Sequence, residues 1–375
     1  MRFNSVAAPS ASTTAPKVPN SHVDFALYGN HNQKRNQTLM ASRFQIGKHK
    51  QVKKGWQETL IDRIQQGKAL PLISNVVSNR LVFSSHRDLV EGWADYIDYP
   101  QNDRLNLTRM TQFQSVMSKA DPDINADNDY IKEAYLDFLE KALFSIADED
   151  LVDDLIEDTN LATFSFSQKA ERLEYPSFTD GQQNLLLLLA DLPLPIYLTT
   201  SYHSFVETAL IKAGKEPRTE ICHWHERLAT LPSVFNTDPN YEPTPQEPLV
   251  YHLHGLDKYP QSLVLTEDDH LDFLVTISRD MDAVPVRIRQ ALTDSSLMLL
   301  GYSLHGWDFR VIFRGMIKPI TVKNRPKSVF IQLSDNEHEI FLRNYLRQEA
   351  EFEVYWGETT SFLQEIWQGW KGMAK

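Results

Sequence analysis

Two histidines at the end of an apolar run, one of them beside a glycine, are the residues of this chain best suited to chemistry. The run Leu249-Val250-Tyr251-His252-Leu253-His254-Gly255 is short and β-prone, and it stops at the glycine. Alternation along a strand puts Val250, His252 and His254 on one face, with Tyr251 and Leu253 on the other. In an open α/β sheet, ligands bind in the crevice beyond the carboxyl ends of the strands, so His254 would stand beside that crevice. Imidazole titrates near neutral pH and can act there as a general base.

Two other stretches have the same design. Pro195-Ile196-Tyr197-Leu198 reads as a strand. It runs into Thr199-Thr200-Ser201-Tyr202-His203, and then into a helix with Phe205, Val206, Ala209 and Leu210 at helical spacing. The five-residue loop thus offers hydroxyls and free amide donors at a helix start. Ser296-Leu297-Met298-Leu299-Leu300 is a second apolar run. Gly301-Tyr302-Ser303 follows it, and another helix is expected to begin near Asp308.

In this order the three stretches resemble the sirtuin-like NAD-binding family, and specifically its bacterial, defence-associated branch. Family members carry a Thr-Thr-Asn-Tyr-Asp-like loop, a His-Gly with the catalytic base, and a Gly-(Tyr or Thr)-Ser loop that holds the cofactor. Here these correspond to Thr199 to His203, to His254-Gly255 and to Gly301 to Ser303. The stretch Gly301 to Arg310, read as Gly-Tyr-Ser-Leu-x-x-Trp-Asp-Phe-Arg, is similar to the defence branch. The resemblance covers roughly residues 65–85 and 190–360.

It implies that NAD+ is the substrate and that no metal takes part. His254 would be the base, and Ser201 would stand where the family's asparagine orders water and the nicotinamide ribose. The cofactor would be held by Ser74, Asn75 and Asn79 of the first loop, by Thr199, Thr200, Tyr202 and His203 of the second, and by Gly255, Gly301, Tyr302, Ser303 and Asp308. Asp308 also reads as a helix cap, and Trp307 reads as core rather than as a stacking surface. The chain departs from the family at three points. Residues 70–79 lack the Gly-Ala-Gly-x-Ser turn, the asparagine has become Ser201, and the aspartate two positions later has become His203.

The implied reaction is hydrolysis of NAD+ to nicotinamide and ADP-ribose, as the toxic effector of an anti-phage, abortive-infection system. The alternative is a catalytically impaired module that binds NAD+ or ADP-ribose, or scaffolds a defence complex. The resemblance also implies a homo-oligomer, or a complex with a separate sensor protein.

Composition narrows the class further. The chain has 375 residues and one cysteine, Cys222. That count rules out the four-cysteine zinc module of protein-deacylating sirtuins, excludes a disulfide framework and agrees with a reducing cytoplasm. Cys222-His223-x-His225 matches no common zinc spacing and reads as a surface loop. The net charge of −12 arises locally, since residues 121–158 hold fourteen Asp or Glu against Lys132 and Lys141. No broad basic face exists for nucleic acid, and no apolar stretch reaches membrane-spanning length. Asp121-x-Asp123-x-Asn125 begins like a calcium loop, but Ala126 replaces its glycine and Lys132 its glutamate. The acidic run is therefore read as a solvated face or a partner surface.

The elements that must position these loops follow from periodicity. Residues 1–45, rich in Ser, Ala, Asn, Pro and Thr, read as a mostly disordered tail ahead of one domain over 46–375. Val52 to Gln66 reads as an amphipathic helix, with Trp56, Leu60, Ile61 and Ile64 inward. Residues 85–190 read as a helical insertion, in which Tyr130 to Ile146 carries an apolar stripe. Strands are expected at 69–74, 195–199, 249–254, 262–266, 296–301, 328–333 and 352–356. Five prolines keep 232–248 from forming helix. This alternation of strand and helix predicts a Rossmann-like α/β fold, a largely parallel sheet with helices on both faces.

Overall fold

The computed structural model describes residues 55–124, 126–127, 129–178, 184–279, 283–303, 306–317, 329–333 and 352–373. The expected N-terminal tail lies outside the described residues. Seven parallel strands form one sheet in the order β3-β4-β2-β1-β5-β6-β7. They are β1 (Ala69–Ile73), β2 (Ile196–Thr199), β3 (Arg218–Ile221), β4 (Leu249–His252), β5 (Ser296–Leu300), β6 (Val329–Leu333) and β7 (Phe352–Trp356). Both faces of the central strands are buried, so these strands read as nearly continuous apolar runs. Within them successive residues still divide. Leu70, Leu72, Leu297 and Leu299 join the core on one face, while Ala69, Ile73, Met298 and Leu300 join the core on the other.

The face of Ala69, Ile73, Met298 and Leu300 is covered by α1 (Trp56–Gln65), α2 (Asn75–Asn79), α3 (His86–Tyr96), α4 (Leu107–Ala120), α5 (Tyr130–Phe144), α6 (Glu149–Ile156), α7 (Phe166–Arg172), α8 (Leu185–Asp191), α9 (Phe205–Lys212) and α14 (Thr359–Met373). The opposite core takes α10 (Val234–Thr237), α11 (Glu267–Arg279), α12 (Val286–Asp294) and α13 (Trp307–Ile312). Helices α3 to α8 lie between β1 and β2, over the residues read above as a helical insertion. On α5 the stripe of Ile131, Tyr135, Phe138, Leu139 and Leu143 is buried, as its spacing requires.

Four expectations are corrected. Arg218-Thr219-Glu220-Ile221 forms an edge strand although it has no apolar run, because β4 offers it a ladder and Glu220 is satisfied by the Ser233 hydroxyl and the Val234 N–H. Residues 262–266 do not form a strand, since both neighbours of β4 are already β2 and β3. The Cys222 region is not a surface loop: Cys222 and Trp224 are fully buried, and the Ser262 carbonyl accepts from Trp224 Nε1 at 2.9 Å. The proline-rich loop contains one helical turn, α10, which fits between Pro232 and Pro239 with Ser233 as its cap.

Candidate active site

The chain moves from β1 toward β2 on one side and from β5 toward β6 on the other, so the loops after β1 and β5 part at the strand ends. A cleft of about 840 Å³ lies there. Its size falls within the range of small-molecule and cofactor sites, roughly 300–1,000 Å³. Of the expected residues, Asn75, Thr200, Tyr202, His254, Gly301, Tyr302, Ser303 and Asp308 line it. Helix α3 and residues 102–108 contribute a wall from the insertion.

The two histidines of the opening motif do not share a face. Strand β4 ends at His252 and the chain turns at Leu253, which breaks the alternation. His252 donates from Nδ1 to the Ser201 carbonyl at 3.0 Å and from Nε2 to Glu207 Oε1 at 2.9 Å. With acceptors at both nitrogens, the ring is held as imidazolium. Burial opposes this charge, but the Glu207 carboxylate and the two hydrogen bonds outweigh burial and raise the pKa above 6.5.

His254 is the opposite case. It is 2 % exposed and lines the cleft, and its Nε2 is buried with no hydrogen-bond partner. Burial, and after it the neighbouring His270, holds its pKa well below 6.5. At neutral pH it is therefore in the form that accepts a proton. Gly255 sets its backbone: φ is +85°, and a Cβ there would lie 2.3 Å from the Ser262 carbonyl oxygen. Only glycine permits that approach, and Gly255 does not itself line the cleft.

The Thr199–His203 loop divides. Thr200 faces the cleft, with Oγ1 3.2 Å from the Tyr302 hydroxyl and accepting the Asn75 N–H at 3.3 Å. Tyr202 lines the cleft and donates to the Val264 carbonyl at 3.1 Å. Thr199, Ser201 and His203 do not line it. Thr199 Oγ1 donates to the Ile73 carbonyl and accepts the Ser201 N–H. Ser201, fully buried, accepts the His203 N–H at 3.1 Å. The His203 ring lies between Phe166 and Phe205, with Nε2 donating to Asn79 Oδ1 at 3.1 Å.

The first loop divides in the same way. Ser74 Oγ donates to the Gly301 carbonyl at 2.7 Å, and its N–H donates to the Leu300 carbonyl, so Ser74 cross-links two strand ends and stays out of the cleft. Asn79 bridges His86 and His203 and is also outside. Asn75 lines the cleft with its Oδ1 buried and unpartnered. At Gly301, φ is +73° and a Cβ would lie 2.3 Å from the Val77 side chain, so backbone and space both favour glycine there. Asp308 is the second residue of α13, not its cap. Its Oδ1 accepts the Phe309 N–H at 2.8 Å, and burial lifts its carboxyl to about 6.

Residues 195–355 match the SIR2-like domain family. The chain carries a SIR2-like domain. The match begins at β2 and runs into β7, so all three strand-end loops that hold Thr200, His254 and Gly301 fall inside it, while β1 and the insertion precede it. A SIR2-like domain is an NAD-binding domain, and NAD-dependent activity follows for the class. No curated protein matches the chain.

Sequence reasoning missed several residues of the SIR2-like cleft. His270, at the start of α11, lines it beside His254. Trp307, expected in the core, is half-buried and lines it too, 6.2 Å from the His270 ring. Arg310 lines it with no ion pair among the described residues, whereas Arg80 and Arg87 pair with Glu358 and Glu91. His86 sits at the insertion wall, lowered to about 4 by burial and by Arg80. Gln332 of β6 fixes the rim, accepting the Gly301 N–H and the Thr359 hydroxyl and donating to the Gly357 carbonyl. The Gly301-Tyr302-Ser303 motif drew attention to its own loop only. Nothing local marks which helices return to it.

Among the described residues no three His, Cys, Asp or Glu side chains gather into a metal site, and no helix is long and apolar enough to cross a membrane.

Proposed function

We propose that this protein cleaves the bond between nicotinamide and ribose in NAD+, releasing nicotinamide and ADP-ribose, with His254 as the general base. The observation that carries this reading is His254 itself: an uncharged, buried imidazole with a free Nε2 on the cleft of a SIR2-like domain. The cleft residues fit such a substrate. Two buried polar atoms, Asn75 Oδ1 and His254 Nε2, have no partner in the protein. Thr200 and Tyr302 offer hydroxyls beside them, and Arg310 offers a cation suited to a diphosphate.

Nicotinamide leaves readily because its positive pyridinium ring becomes neutral on departure. His254 takes a proton from a ribose hydroxyl or from water, and assistance of this kind is worth about 10²–10⁴-fold in rate. Because its pKa is depressed, nearly all of His254 is in the accepting form, while each transfer has less driving force. Ser201 is assigned to holding the loop. The water-ordering role passes to Thr200 and Asn75, which line the cleft side by side, the Asn75 N–H donating to Thr200 Oγ1.

The reading is tested by incubating the full chain with NAD+ and following nicotinamide release. One observation favours a second reading, a module that binds NAD+ or ADP-ribose without turnover. Ser74, Thr199 and Ser201 spend their hydroxyls inside the protein, and His203 spends its Nε2 there. Calorimetric binding without nicotinamide release would select it. A role as the cytoplasmic effector of anti-phage defence, acting as an oligomer or with a sensor protein, rests on the likeness of Gly301 to Arg310 to the defence branch. Loss of cellular NAD+ on phage infection, absent with His254→Ala, is its test.

A further inference from the structure

His270 reaches the cleft through a segment fixed at every step. After Gly255 the chain leaves the sheet, and Ser262 Oγ ties it by accepting the Leu256 N–H at 3.0 Å and donating to the Tyr259 carbonyl at 2.6 Å. It then returns, with the Val264 N–H donating to the His254 carbonyl at 3.0 Å. The Thr111 hydroxyl of the insertion donates to the Leu265 carbonyl at 2.9 Å. Asp269 Oδ2 accepts the N–H groups of Leu265 and Thr266, and Thr266 Oγ1 accepts the Asp269 N–H, a reciprocal cap at the start of α11. Lys132 of α5, 1 % exposed, places Nζ 3.1 Å from Asp269 Oδ1. This buried lysine makes the insertion part of the clamp.

His270 follows directly. Its Nδ1 donates to the Thr266 carbonyl at 2.9 Å, so its tautomer is fixed and Nε2 carries the lone pair. The ring is buried and stands edge-on to His254, with centroids 5.2 Å apart at 80°. Phe273, one turn further along α11, packs on His254 at 5.1 Å in the same edge-on manner. Packing alone would be served by a second phenylalanine. A second imidazole, oriented by its own hydrogen bond at a cleft, adds a site that titrates.

We infer that His270 is a positioning partner of His254, the two imidazoles forming one coupled unit in which a charge on one ring disfavours a charge on the other. The inference rests on the base role proposed for His254. Two cations at this separation in a buried site repel strongly, so charging one ring disfavours charging the other. His270 thereby keeps His254 uncharged and fixes its ring for proton removal. The groups facing the pair are Asp269 and Lys132 from α11 and α5, Asp308, Trp307 and Arg310 from α13, and Tyr202 from the loop after β2. Asp269 favours a charged His270, and burial overrides it. Asp308 titrates near 6 on the same cleft, so Asp308→Asn is the control.

The test is an NMR titration of the full chain with labelled histidine, the two resonances assigned by loss in His254→Gln and in His270→Asn. In the wild type both resonances should show two inflections. In His270→Asn the His254 midpoint should move to higher pH by about one unit, the coupling at which two sites titrate as a pair. The acid limb of nicotinamide release should move with it. Single, independent titration steps in the wild type would overturn the inference, and that measurement needs no variant to fold. A His254 midpoint unchanged in His270→Asn or His270→Phe would overturn it as well. Coupled titration without nicotinamide release would leave the pair intact and remove the base reading instead.

Discussion

Glu207 and His252 form an ion pair closed off from solvent, with Oε1 of one 2.9 Å from Nε2 of the other. The pair lies beneath the Thr199–His203 loop, because the second ring nitrogen of His252 holds the Ser201 carbonyl. Glu207 Oε1 also accepts the Thr219 hydroxyl of the edge strand β3, so one carboxylate joins α9, β4 and β3.

His252→Leu leaves that carboxylate buried without its cation, and such a loss costs about 3–5 kcal/mol. Urea denaturation should show it. The folded pKa of His252 lies above the unfolded value of 6.5, so its stabilisation is whole below that pH and fades as pH rises through the folded value. As pH rises above 6.5 the wild type should therefore lose more stability than Glu207→Gln. Parallel pH profiles for the two would contradict the pairing.

His254→Ala should reduce nicotinamide release by about 10²–10⁴-fold with an unchanged fold and NAD+ still bound. The depressed pKa of His254 places its protonation well below 6.5, so release should stay level as pH falls through 6.5. Wild-type turnover in the variant would refute the assignment.

Two glycines with the same backbone sign separate strain from collision. Gly214 has φ +78° and open space around a Cβ, so Gly214→Ala should cost about 1–2 kcal/mol from the left-handed backbone alone. Gly255→Ala adds a clash with the Ser262 backbone, which cannot rotate away as a side chain can. Its thermal midpoint should fall well below that of Gly214→Ala, and nicotinamide release should fall with it. Equal midpoints would show that the Ser262 segment yields.

Ser201→Asn restores the residue of the resembled loop but enlarges a fully buried site. Overpacking of this kind costs about 1–3 kcal/mol. The variant should be less stable by calorimetry and release nicotinamide no faster than the wild type. A faster variant would return the water-holding role to this position.

The acidic run offers a test of assembly once its structural member is spared. Asp148 caps α6, accepting the Asp150 and Leu151 N–H groups, whereas Glu149, Asp150, Asp153 and Asp154 are exposed. Neutralising those four to Gln or Asn should leave folding within about 1 kcal/mol, since exposed unpaired carboxylates contribute little. If the run is a contact surface, light scattering across a salt series should show weaker assembly in the variant. A monodisperse, fully active wild-type monomer at every ionic strength would exclude that role.

The three motif strands and their loops were legible in the sequence because each is an apolar run stopped by a residue of distinct chemistry: Thr199, His252 and Gly301. The α5 stripe was legible for the same kind of reason, since burial of one helix face leaves a period that no partner needs to explain. Strand β3 was not, because an edge strand half exposed to solvent needs a neighbour's ladder and not an apolar run. Leu263-Val264-Leu265 looks like a strand and is buried like one, but no strand position beside β4 was left for it. Within the site, residue type predicted which loops meet and not which side chains face the cleft. Thr200 and Ser201 are adjacent hydroxyls, and only the tertiary packing decides that Thr200 lines the cleft while Ser201 is buried, accepting the His203 N–H. His270, Trp307 and Arg310 come from helices whose own patterns carry no sign of the cleft. Their place was decided by where α11 and α13 pack, through contacts such as Lys132 to Asp269 that join residues far apart in the chain.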